Sequence, residues 1–232
     1  MANLVEEVSA TPTFSDYAFE RLRADIVSGS LAAETKLAMK DLAARYRVGV
    51  SPLREALHRL AGEGFVDFVG QRGFTVPPLS MSDLEDLIQL RTLVEEAAVR
   101  QAMKRGDDAW EAGIVSAFYR LERQIGRFGQ GSDEAIQQFE TVHRAFHVAL
   151  YANVISPGLA NMHGNLFDKA YRYRKTLHFQ SISHEEFLVE HKGLMNVILS
   201  GDVEAAVIAL RRHLTLTRDA TQRYLAAKSK KT

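Results

Sequence analysis

The chain contains no cysteine among its 232 residues. That removes disulfides, thiolate zinc sites and cysteine nucleophiles together. It carries no formal net charge either, since 29 Lys and Arg balance 29 Asp and Glu. Bulk attraction to polyanions is excluded, so any affinity for nucleic acid must come from local placement of cations. No apolar run approaches the ~18 residues of a membrane-spanning helix. The opening residues include Glu6 and Glu7 and lack a cationic start followed by an apolar core, so no signal peptide is expected. Gly-rich phosphate loops and nucleophile elbows are missing too. What remains is 46% apolar and 25% charged, ordinary for a globular protein, and it fits a soluble cytoplasmic one. The length allows one domain or two.

The most organised stretch runs from Leu37 to Val76. Met39 to Tyr46 reads as a short helix with Met39, Leu42 and Ala43 on one side. Arg47-Val48-Gly49-Val50 reads as a turn, with Gly49 free to take a positive φ. Ser51 is expected as N-cap and Pro52 at the first helical position, where its missing N–H costs nothing. Leu53, Ala56, Leu57, Leu60 and Ala61 then recur at helical spacing up to Gly64. Phe65–Val69 and Phe74–Val76 flank the loop Gly70-Gln71-Arg72-Gly73 as a hairpin. This is the order of a winged helix-turn-helix, whose second helix would lie in the DNA major groove. Ser51 and Arg54 lie at its N-terminal end, where free N–H groups meet phosphate, and Lys40 and Arg72 can add phosphate contacts. The bland alternative is a small α/β appendage with ordinary surface charges.

The run Val48-Gly49-Val50-Ser51-Pro52-Leu53-Arg54-Glu55-Ala56-Leu57, then Leu60, Glu63-Gly64 and Arg72-Gly73, resembles the DNA-binding domain of the GntR family of bacterial transcription regulators. The resemblance puts Lys40, Ser51, Arg54, Arg72 and Gly73 on DNA-contacting positions. It also shows a departure: Val50 stands where the family has an arginine, a residue whose fork on guanine is a strong discriminator.

Before this unit, residues 1–13 are polar and patternless and read as a flexible tail. Ser15 is expected to cap a helix to about Ser28, with Phe19, Leu22 and Ile26 as its apolar stripe. Pro77-Pro78 breaks the chain, giving a DNA-binding domain over 14–78. From 79 to 228 the period is helical throughout. Capping boxes at Ser82–Glu85 and Ser183–Glu186 open two of about six helices. The others run from about Asp108 to Phe128, Ser132 to Asn153, Pro157 to His178, and Gly201-Asp202 onward to near Lys228. The expected architecture is mainly α: the winged unit, then an all-α antiparallel bundle.

Histidine carries the chemistry of this second half. His143 and His147 are four apart and share one helix face, with Phe146 and Leu150 beside it. His191 and His213 lie on the last two helices. A nitrogen-rich site without thiolate suits zinc, nickel or another first-row divalent ion. Surface or core histidines explain such a pair equally simply. His58, His163, His178 and His184 read as structural or solvated.

Arg91–Glu95, Ala145–Leu150, Glu190-His191, Ser200–Asp202 with Ala205-Ala206, and Arg212–Leu214 resemble the FCD ligand-binding domain of the FadR subfamily. That domain commonly holds a metal on one aspartate and three histidines. The resemblance implies His147, His191 and His213 as the histidines, with His143 at the aspartate's position, one negative charge poorer. It implies a homodimer, an inverted-repeat DNA operator and a small carboxylate effector. The likeness extends to regulators of carbon starvation that sense glutarate. Arg91 and Arg172 are the candidate carboxylate clamp, because guanidinium binds carboxylate bidentately. Arg91 can instead simply pair with Glu95 one turn on, and Arg172 can belong to a solvated cationic face with Arg174 and Lys175.

The expectation is therefore a transcriptional repressor, working in the cytoplasm on nucleoid DNA, released by a small carboxylic acid near a metal. Two other readings stand beside it: a regulator whose signal is the ion itself, and a metal-dependent hydrolase. Four protein ligands would close the site to water, and no carboxylate is placed as general base, so no enzyme is expected.

Overall fold

The computed structural model describes residues 12–126, 133–154, 156–176 and 183–229. The chain divides into two compact units, Met1–Pro78 and Leu79–Thr232.

In the first unit, α1 (Phe14–Val27) is capped two residues earlier than Ser15 would place it: Thr13 and Asp16 form the reciprocal capping box. Helix α2 (Met39–Tyr46) is where its periodicity puts it. Helix α3 runs Val50–Gly62 and begins two residues before Pro52. Its N-cap is Gly49 in extended backbone, so Ser51 is not the cap and lies exposed in the first turn. The left-handed residue of the turn is Arg47, at φ 55°, not Gly49. Pro52 still falls among the first-turn positions that have no intrahelical acceptor for their N–H.

Strand β2 (Asp67–Val69) and β3 (Gly73–Thr75) form the wing, joined by a single 3-10 turn over Gly70–Arg72. Gly73 adopts φ 81° after that turn, a backbone that side chains disfavour. A two-residue strand, β1 (Lys36–Leu37), pairs with the other side of β3, which makes β3 central in a three-stranded antiparallel sheet. Phe19, Leu22 and Ile26 of α1 pack with Leu53, Leu57 and Leu60 of α3 and with Phe65 and Val76 in one core. Tyr46 donates to Asp25 at 2.6 Å and Arg45 pairs with the same carboxylate at 2.6 Å, tying α2 to α1.

The second unit is all helical among the described residues: α4 (Met81–Lys104), α5 (Asp108–Ile125), α6 (Asp133–Leu150), α7 (Pro157–Thr176), α8 (His184–Leu199) and α9 (Val203–Ser229). The cap of α4 is Ser80, which accepts from the Asp83 N–H; Ser82 lies inside the helix, so the box expected at Ser82–Glu85 does not cap it. The Ser183–Glu186 box forms as expected. Helix α6 stops at Leu150, short of Asn153. Phe128, the loop at 129–131, Ser132 and His178 lie outside the described residues, as does the tail up to residue 11. Ile114, Leu121, Phe146, Leu150, Ile198 and Leu210 are among the side chains filling one core. The two histidines of α6 lie on the face beside Phe146, so the hydrophobic period that builds the core also turns them inward.

Candidate functional site

In the first unit, one side of α3 is spent on the core through Leu53, Ala56, Leu57 and Leu60. The opposite side presents Ser51, Arg54, Glu55 and His58. Neighbouring cations are already committed: Arg59 pairs with Asp16 at 2.8 Å and Arg45 with Asp25. Arg54 makes no ion pair among the described residues, and the same holds for Lys40, Arg72 and Arg47, all exposed. Arg47 was not singled out from the sequence; its place in the turn, one residue after α2, was the available signal. His58 packs edge-on against the rings of Phe68 and Phe74, both at 5.0 Å, and so links α3 to the wing. Val50, where the family arginine would be, is half exposed at the start of α3.

In the second unit, His143, His147 and His191 come together from α6 and α8. Their ligating nitrogens lie within 4.8 Å of one another. His143 Nε2 is 3.0 Å from His191 Nε2 and 3.1 Å from His147 Nε2. All three rings are buried. The His213 ring packs 4.6 Å from His191 and 5.1 Å from His147, centroid to centroid, but its nitrogens are not part of the close trio. Phe187 stacks on His191 at 3.8 Å, and Phe139, Phe146 and Phe167 complete an aromatic wall.

The hydrogen bonds around the trio test whether it suits a metal. His191 Nδ1 lies 2.7 Å from the Phe187 carbonyl, which only accepts, so Nδ1 carries the proton. His143 Nδ1 faces the Glu140 carboxylate at 3.4 Å, which again assigns the proton to Nδ1. Both Nε2 atoms are then lone pairs, and they point at each other across 3.0 Å. Nothing in that contact is satisfied unless a cation sits between them. Nδ1 of His147 and Nδ1 of His213 are buried without a partner among the described residues. Burial lowers the proton affinity of all four rings, well below the ordinary histidine value for His147 and His191 and to about 3 for His213, and mutual repulsion adds to it for those three. For His143 burial also dominates, opposed by the Glu140 charge. A proton is therefore a poor filler, and a divalent ion on neutral imidazoles fits the donor set.

Arg91 is buried on α4 and its Nε donates to Glu95 at 2.7 Å, so the helix-neighbour pairing is real. Its remaining guanidinium nitrogens make no hydrogen bond among the described residues. Arg91 adds to the depressed proton affinity of His143, His147 and His213, so its charge acts on the histidine cluster. Arg172 is buried, not on a solvated face, and Arg174 pairs with buried Glu140 at 3.0 Å. His163 is also buried, with Nε2 unpartnered among the described residues and its ring edge-on to Tyr151 at 4.7 Å. Tyr151 in turn donates to Glu95 at 2.7 Å. Sequence reasoning passed over Glu140 and Tyr151, and read His163 only as structural or solvated. Glu140 could have been found by its position three residues before His143, on the same helix face.

A winged helix-turn-helix unit followed by a helical bundle with an inward-facing histidine cluster defines a class, the DNA-binding transcription regulator. The particular family follows from comparison. Residues 14–76 match the family of bacterial regulatory proteins called gntR, and residues 86–216 match the FCD domain. The chain belongs to the GntR family, in its FCD-bearing, FadR-like branch. It is 36% identical over 196 residues to the HTH-type transcriptional regulator BphR of Paraburkholderia xenovorans, covering 84% of this chain and 80% of that one. It is 34% identical over 197 residues to the HTH-type transcriptional repressor GlaR of Escherichia coli, covering 83% and 89%. The fold is shared with the solved structure of E. coli McbR/YncC, at a TM-score of 0.69 and 21% identity over 95% of this chain and 99% of that one. These relatives are regulators, not enzymes, and no helix described here is long and apolar enough to cross a membrane.

Proposed function

We propose that the protein is a dimeric, metal-containing repressor that leaves its operator when a small carboxylic acid, in the class of dicarboxylates such as glutarate, enters the bundle. The observation that carries the DNA half of this reading is the polar side of α3, where Ser51 and Arg54 stand exposed while neighbouring cations are neutralised. Lys40, Arg72 and Gly73 flank it as backbone contacts. In the bundle, His143, His147, His191 and His213 would hold a zinc or nickel ion. The ion would supply a positive centre for an anionic ligand. Arg91 and Arg172 are the cations for the carboxylates. The E. coli relative GlaR is a transcriptional repressor, which supports the sign of regulation. Action on nucleoid DNA in the cytoplasm follows from that role.

The mechanism is a population shift. An effector that binds one bundle geometry better moves the dimer away from the spacing that lets two recognition helices reach successive major grooves. Fluorescence-anisotropy titration against the DNA upstream of its own gene tests this. Binding that resists excess random DNA, and that is reversed by millimolar dicarboxylate, is the expected result. Binding no tighter than to random DNA sinks the reading. Reversal by a chelator alone, with no organic acid needed, replaces the effector with the ion as signal.

A second copy of the chain is expected on the α4–α9 surface. Leu93 is 69% exposed and Ile208 67% exposed there. Arg100–Glu204 and Arg211–Glu96 ion pairs, with contacts of 2.9 and 2.8 Å, tie the two helices and neutralise that face. Apolar area framed by self-neutralised charge favours a self-complementary contact. The pair Leu93→Lys and Ile208→Lys is expected to halve the sedimenting mass at micromolar concentration and to cost operator affinity at least tenfold. An unchanged dimer places the interface elsewhere.

A further inference from the structure

We infer that Glu140 is the positioning residue of the histidine cluster: it fixes which nitrogen of His143 is presented to the ion. The inference rests on the metal reading above. Glu140 is buried on α6, one turn before His143, with Oε2 3.4 Å from His143 Nδ1. Arg174 of α7 holds the same carboxylate through Nε at 3.3 Å and Nη2 at 3.0 Å, and its guanidinium lies over the Phe167 ring at 4.5 Å. That clamp leaves the carboxylate no freedom to turn away from the imidazole. A carboxylate bound by arginine offers only acceptors, so His143 must place its proton on Nδ1 and its lone pair on Nε2, toward His147 and His191.

The role is orientation more than charge. Arg174 pairs with the Glu140 carboxylate, and Glu140 meets the outer Nδ1 of His143 rather than the ligating Nε2 side, so it does not replace the anionic ligand that the cluster lacks. The two other rings are treated differently by the fold. His191 is oriented by a backbone carbonyl that no substitution removes, and His147 Nδ1 has no partner among the described residues. Of the close trio, His143 alone takes its tautomer from a side chain among the described residues. It is also the ring that touches both others, at 3.0 and 3.1 Å, so its tautomer decides whether the trio converges.

Glu140→Gln isolates this role because it keeps the size of the side chain. Arginine can only donate, so the amide oxygen stays with Arg174 and the amide N–H group turns to His143 Nδ1. Two donors then face each other, and the relaxed arrangement moves the imidazole proton to Nε2, where it blocks the ion. The full-length, metal-stripped protein is used for imidazole nitrogen–proton correlation NMR. The wild type is expected to give the Nδ1–H pattern at His143 and the variant the Nε2–H pattern. Competition of Zn²⁺ against a chelating dye is expected to show a 10- to 100-fold weaker site in Glu140→Gln, in line with losses of ~10–100-fold for outer hydrogen-bond partners of metal ligands. The visible bands of the Co²⁺-loaded protein should shift or vanish with it. Thermal melting of the stripped proteins controls for folding; should the variant melt early, Arg174→Lys, which keeps one donor on Glu140, is expected to retain the Nδ1–H pattern. An unchanged tautomer and equal Zn²⁺ affinity in Glu140→Gln overturn the inference while leaving the metal site standing. A wild type that takes up no Zn²⁺ overturns both.

Discussion

Arg54→Ala is expected to weaken operator binding about 10- to 100-fold, the ~1–3 kcal/mol of a lost guanidinium contact at a base or phosphate. The argument starts from the two sides of α3. Leu53, Ala56, Leu57 and Leu60 are sealed in the core, so the helix can rotate no further without exposing them. Whatever lies opposite is what the groove meets, and Arg54 lies there one turn from the helix start. It has no ion pair among the described residues, so truncating it removes nothing from the fold and the melting temperature should hold. Arg59 is the informative control. It sits five residues on but spends its charge on Asp16 and stacks over Phe19 at 4.3 Å, so Arg59→Ala should reduce stability and leave affinity nearly intact. Salt separates the two possible targets of Arg54. Loss of a phosphate contact lowers the slope of log affinity against log salt by about one, whereas loss of a base contact leaves the slope and relaxes preference at one position. Affinity within twofold of wild type would remove α3 from the role of recognition helix.

The winged unit was legible because its signals are local. Amphipathic period, Gly-rich wing loop and Pro-Pro break each need only a few residues of context. The misreadings have physical causes of the same kind. Strand β1 is two residues long, and its partner Phe74 is far away in sequence, so no period reveals it. Ser51 is a good cap by type, but Gly49 takes extended backbone equally well, and the helix gains Val50 and Ser51 by starting there. Once Gly49 is extended, the chain must reverse earlier, and Arg47 takes the left-handed conformation.

The histidine cluster was half legible. His143 and His147 announce themselves by spacing on one helix. His191 and His213 belong to other helices, and the bundle alone brings their rings against that pair; only a family resemblance could join them in advance. His163 read as structural or solvated because nothing in its neighbourhood decides between the two, and α7 carries it inside beside Tyr151. Glu140 and Arg174 are hidden for a different reason. Charged side chains are almost never fully buried unless paired, and pairing across α6 and α7 leaves no local trace.

The second large effect concerns the cluster itself. His147→Ala combined with His191→Ala is expected to bring bound zinc or nickel, measured by elemental analysis after purification without chelating resin, from stoichiometric to background. Two of the three close donors are gone, and the two rings that remain, His143 and His213, leave half of the proposed donor set. The same variant gives a second, thermodynamic readout. In the wild type the facing lone pairs of His143 and His191 make the metal-free bundle repulsive at its centre, so an ion held by the cluster would favour the folded state over the unfolded one. At an ion concentration of about 100 times Kd, linkage raises stability by ~2.7 kcal/mol, which a melting curve resolves easily. The double variant should show no rise on adding metal. His184→Ala, exposed at the start of α8, should keep both the ion and the shift. Metal content that survives in the double variant would move the site away from these histidines. Metal content lost together with operator binding would instead make the ion part of the DNA-binding state, and with that the repressor would answer to metal supply before it answers to any acid.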